Sequence, residues 1–98
     1  MGNKPHTTKE TAMKTIKKHI KPKRYTYINR PADVEEFRFG TTPTCERVIV
    51  YRWADNGDIQ ITHVKGDGRT TDFQKYLDVT IPNGTTADVQ AALNRITK

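Results

Sequence analysis

Two runs rich in strand-favouring residues, Glu46–Trp53 and Asp58–Lys65, lie on either side of Asp55-Asn56-Gly57. Successive side chains of a strand point to opposite faces, and Asn-Gly favours a tight connection, so the pattern predicts a β-hairpin. A two-residue turn would pair Arg52 with Ile61 and Trp53 with Gln60, mixing the faces. A three-residue loop with Gly57 left-handed pairs Trp53 with Ile59, Tyr51 with Ile61 and Ile49 with His63. Arg52, Gln60, Val50 and Thr62 then lie opposite. That register separates apolar from polar and predicts Trp53, Tyr51 and Ile49 as a core stripe.

Phe73–Ile81 alternates well and predicts a further strand, ended by Pro82-Asn83-Gly84. Thr85 or Thr86 then caps a last helix, with Asp88 placed to complete a capping box. Val89, Ala92, Leu93 and Ile96 share its apolar stripe. Near the other end, Thr7 and Glu10 fit a capping box, and the spacing predicts a helix from there to about Lys21, stopped by Pro22. Its apolar face is Met13, Ile16 and Ile20. Lys14, Lys17, Lys18 and Lys21 fall within an arc of roughly 100° on that helix. Like charges at such spacing cost about 0.2–0.5 kcal/mol per pair, so the helix requires docking or an anionic partner.

Lys23–Ile28 reads as a strand. Residues 31–40 carry two conflicting signals. Pro31, the acids Asp33, Glu35 and Glu36, and Gly40 favour a short helix, whereas alternation of Glu35, Phe37 and Phe39 against Glu36 and Arg38 favours a strand. We read them as helix. Residues 41–44 and 66–69 are turns or loops. The expected fold is α+β: a small, mostly antiparallel sheet of about four strands, with a C-terminal helix on one face and a basic N-terminal helix or arm. Residues 1–23 form the arm and 24–98 a single domain.

Charge sharpens this division. The chain has 98 residues and a net charge of +6, yet residues 1–30 hold nine Lys/Arg and one acid, whereas residues 31–98 hold eight Lys/Arg and ten acids. A near-neutral body with a basic N-terminal third points to a polyanionic partner. The basic run Lys14, Lys17, Lys18, Lys21, Lys23, Arg24 and Arg30 encloses Tyr25 and Tyr27. Cations supply phosphate contacts and aromatic rings supply stacking faces for unpaired bases.

Catalytic chemistry finds little support. Serine is absent, and Cys45 is the single cysteine. His6, His19 and His63 lack metal-site spacing, and His63 fits a satisfied sheet position. The acids around Asn56-Gly57 are explained by turn chemistry, and Gly66-Asp67-Gly68-Arg69 is no phosphate loop. No cofactor is expected. Met1–Arg24 has no apolar stretch of signal-peptide length and no run approaches a membrane span, so a cytoplasmic location and no membrane partner are expected. The function expected is non-enzymatic nucleic-acid binding through the N-terminal helix and arm. The alternative is a small inhibitor or adaptor module that docks on the acidic surface of a larger protein.

Overall fold

The computed structural model describes residues 14–98. Five strands precede one helix: β1 Lys18–Tyr27, β2 Arg30–Arg38, β3 Arg47–Trp53, β4 Ile59–Lys65, β5 Gln74–Ile81 and α1 Thr86–Thr97. The strands form a single antiparallel sheet in sequence order, β1-β2-β3-β4-β5. The α+β class and the C-terminal helix agree with the pattern. The sheet has five strands where about four were expected.

Two segments expected to be helical are strands. Residues 18–21 open β1, so the N-terminal helix does not reach Lys21; residues 1–13, including Thr7, Glu10 and Met13, lie outside the described residues. In a strand the lysines alternate between faces, which relieves the repulsion a helix would impose. Lysines and proline also suit a sheet edge. The pairing of β1 with β2 shifts by one residue between Ile20 and Lys23, and Pro22 falls in that bulge, where its missing N–H breaks no ladder bond. Residues 30–38 form β2 because the period of two wins. Ala32 and Val34 are buried on one face, and Phe37 packs with the core on the other.

A two-residue turn, Ile28-Asn29, joins β1 to β2 with both residues at positive φ (49° and 67°). A β-branched residue there is strained, and Ile28 is 96% exposed, so no burial offsets the strain. We expect Ile28→Gly to raise stability by about 1 kcal/mol, measured by urea denaturation.

The core lies between α1 and one sheet face. Val48, Val50, Ile59 and Ile61 pack against Val89 and Leu93. Phe37, Phe39, Leu77, Ile81, Ala92 and Ile96 close its margin. Thr85 is the N-cap of α1, and its N–H donates to the Asp88 carboxylate at 2.8 Å, as the capping pattern predicts.

The β3–β4 register differs from the expected one by a single residue. Trp53 N–H donates to the Asp58 carbonyl and Gly57 N–H to the Trp53 carbonyl, both at 2.9 Å, closing a loop over residues 54–57. Arg52 pairs with Ile59, Val50 with Ile61 and Val48 with His63. Gly57 is left-handed as expected, at φ 77°. A one-residue slip exchanges the faces of the whole strand. Val48 and Val50 therefore enter the core, while Ile49, Tyr51 and Trp53 lie on the face without the helix.

Candidate functional site

The helix-free face is built from alternate residues of each strand. From the pairing, β1 contributes Lys18, Ile20, Lys23, Tyr25 and Tyr27, and β2 contributes Arg30, Ala32, Val34, Glu36 and Arg38. From β3 come Arg47, Ile49, Tyr51 and Trp53. Ala32 sits between Tyr25 and Trp53 in the ladder, and Val34 between Lys23 and Tyr51. β1 and β3 are two strand spacings apart, roughly 10 Å, so rings from these strands meet only by leaning over β2. The small side chain of Ala32 permits this, and it is wholly buried beneath them.

The result is an aromatic cluster. Tyr27 makes edge contacts with Tyr51 and Trp53, at centroid distances of 6.0 and 5.8 Å. Tyr51 and Trp53 are nearly parallel at 5.8 Å, and Tyr25 lies 6.3 Å from Tyr27. Tyr25 and Tyr27 remain 46% and 41% exposed, and Tyr51 and Trp53 are half-buried. Burial pushes the Tyr27 and Tyr51 phenols above their ordinary range, so both rings are neutral at pH 7. Trp53 is held by a side-chain chain: its indole N–H donates to Gln60 Oε1 at 3.1 Å, and Gln60 Nε2 donates to Asp78 Oδ1 at 3.0 Å.

The basic residues divide into two groups. Lys14 pairs with Glu46 at 2.9 Å, Arg24 with Asp33 at 2.8 Å and Arg30 with Asp55 at 2.7 Å. The Arg24 hydrogen bond holds the Asp33 carboxyl below its usual range, and Arg30 does the same for Asp55. Among the described residues, Lys17, Lys18, Lys21 and Lys23 belong to no ion pair. All four are exposed. Lys23 Nζ stands 5.9 Å from the Tyr25 ring centre, and the Arg30 guanidinium lies over Trp53 at 4.1 Å.

Arg24 lies on the opposite face of β1 from Lys23 and Tyr25, so the expected site residues do not share one surface. Tyr51 and Trp53, absent from the expected site, complete the cluster instead. The signal was the Tyr51-Arg52-Trp53 alternation; the assumed register assigned it to the core. Arg52 points to the helix side, where its Nη1 donates to Glu35 Oε1 at 2.8 Å. His19 Nε2 approaches Glu35 Oε2 at 2.6 Å and its ring stacks on Phe37 at 4.7 Å. Burial pushes the Glu35 carboxyl up, but the Arg52 and His19 hydrogen bonds together outweigh it and hold it below its ordinary range.

His63 is buried and bonded to Glu46 at 2.7 Å, as a satisfied sheet residue should be. Among the described residues no group of three His, Cys, Asp or Glu could hold a metal ion, and no helix is long and apolar enough to cross a membrane. Comparison with known proteins gives no relative. No family model, curated protein or solved structure matches this chain.

Proposed function

We propose that this protein binds nucleic acid and acts by binding rather than by catalysis. The observation that carries the reading is a set of β1 lysines that belong to no ion pair among the described residues: Lys18 and Lys23 on the helix-free sheet face that exposes aromatic rings, and Lys21 in the bulge between them on the same edge strand. Unpaired ammonium groups gain most from a phosphate, because no protein carboxylate has to be displaced. Lys14, Arg24 and Arg30 are already neutralised by Glu46, Asp33 and Asp55, so they orient the surface and contribute less to phosphate contact.

The test is a salt titration of binding to a mixed-sequence oligonucleotide. Affinity should fall steeply with added salt. Replacing Lys18, Lys21 and Lys23 together with Gln should reduce the slope of log K against log salt by about 2, at roughly 0.7 per phosphate contact on a single strand. An unchanged slope would remove these lysines from the interface.

An acidic protein surface is the second reading, favoured by the free β5 edge, where Tyr76 is 50% and Val79 38% exposed. The β3–β4 hairpin itself offers no edge, because β2 and β5 pair with both of its sides. A protein docked on that edge by strand pairing would tolerate the triple lysine replacement, whatever salt dependence its acidic groups add.

A further inference from the structure

We infer that the ligand is single-stranded nucleic acid, whose bases stack on the platform formed by Tyr25, Tyr27, Tyr51 and Trp53 while its phosphates follow the β1 lysines. This inference rests on the nucleic-acid reading above and specifies which form is bound.

The rings do more than cover the sheet. Ala32 and Val34 beneath them are 0% and 8% exposed, so the small core on this face is already closed. Tyr25 and Tyr27 nevertheless keep nearly half their surface in water, and among the described residues no element packs over them. Aromatic surface left open beside unpaired cations complements a ligand that offers both flat apolar faces and negative charge. A single strand offers both. A duplex presents mainly phosphates at its surface, with its bases stacked inside, and leaves such rings unused.

Charge also sets the path. Glu36 and Asp78 lie on the same face towards the other end and the far edge of the sheet, and both are already ion-paired, Glu36 with Arg38 at 2.6 Å and Asp78 with Lys75 at 3.4 Å. The ammonium groups that belong to no ion pair among the described residues draw the backbone of the strand along the β1 border, past Lys18 and Lys23, with bases turned inward over β2. Neighbouring ring centres stand 5.8 to 6.3 Å apart, a spacing that a partly extended strand can match base by base. The Arg30 guanidinium, fixed over Trp53 by two bonds to Asp55 at 2.7 and 3.1 Å, adds a further flat cation for stacking. Its fixed geometry and the Gln60 bond to the indole hold Trp53 in place before binding.

Trp53 is the only tryptophan, so its fluorescence reports directly on this surface. The experiment titrates the full chain with a mixed-sequence single strand, the matching duplex, and inorganic polyphosphate as a polyanion without bases. The expected result is tighter binding of the single strand, with quenching of Trp53 that polyphosphate does not produce. Tyr25→Ala and Tyr27→Ala remove exposed rings and leave the Trp53 reporter intact. Each should weaken single-strand binding about 5- to 150-fold and leave polyphosphate binding unchanged. Equal binding of all three ligands, unaltered fluorescence, or wild-type affinity in both tyrosine variants would overturn the platform while leaving the polyanion reading in place. No binding of any ligand at low salt would overturn both.

Discussion

Val50→Lys is expected to leave the protein unfolded or barely stable at room temperature, whereas Ile49→Lys should leave it folded. The two positions are neighbours on β3 and differ by the face they occupy. Val50 is fully buried against Ile61 and the helix residues. A lysine there strands a charge without a partner, at a cost of about 3–5 kcal/mol, and overfills the core by a further 1–3 kcal/mol or so. A domain of this size is stable by only about 5–15 kcal/mol, so a loss of about 4–8 kcal/mol removes a large part of the margin, and all of it at the lower end. Ile49 is half-buried on the helix-free face, opposite Glu36 and Thr62. A lysine there can extend to solvent beside the Glu36 carboxylate and should cost about 1 kcal/mol. Far-UV circular dichroism and urea denaturation distinguish the outcomes. The reverse result, with Val50→Lys folded and Ile49→Lys unfolded, would restore the register that hydrophobic alternation suggests.

Glu35→Ala should cost about 2–3 kcal/mol at pH 7, because charge-assisted hydrogen bonds from two donors are lost and Arg52 is left without its partner. The effect has a defined pH dependence. The folded-state Glu35 carboxyl lies below its ordinary value of 4.5, with burial opposing and the Arg52 and His19 bonds prevailing. A depressed carboxyl contributes stability that is fully present above the unfolded value and is lost as pH falls through the folded one. The stability curves of wild type and Glu35→Ala should therefore lie apart near neutrality and converge as pH drops below 4.5. Glu46 behaves in the same sense, since the Lys14 and His63 bonds outweigh its burial. A difference between wild type and Glu35→Ala that persists undiminished at pH 3 would show that the loss comes from packing rather than from ion pairing.

The sequence alone was sufficient for the elements whose local signals agree. Residues 74–81 alternate cleanly and end at Pro82-Asn83-Gly84, and the helix after them has a cap, an acid at the right spacing and one apolar stripe. The hairpin around Asn56-Gly57 and the left-handed Gly57 were equally legible. Tyr25, Tyr27 and the basic run were visible as a cluster of residue types. Where local signals conflicted, neighbouring strands decided. Residues 30–38 contain helix-start residues, yet Ala32 and Val34 are buried only if the segment pairs on both sides, and that pairing requires β1 and β3. Residues 18–21 become a strand because β2 supplies the ladder partners that a helix pattern cannot anticipate. The Ile28-Asn29 turn carries no sequence signature, since the sheet imposes its positive φ on an unfavourable residue. The face of β3 was decided by a single residue of loop length. Alternation fixes which residues share a face, but the helix that chooses between the two faces is 33 residues further along the chain from Trp53. That choice buries Val48 and Val50 and leaves Tyr51 and Trp53 beside Tyr25 and Tyr27, so the aromatic surface itself is a product of tertiary packing.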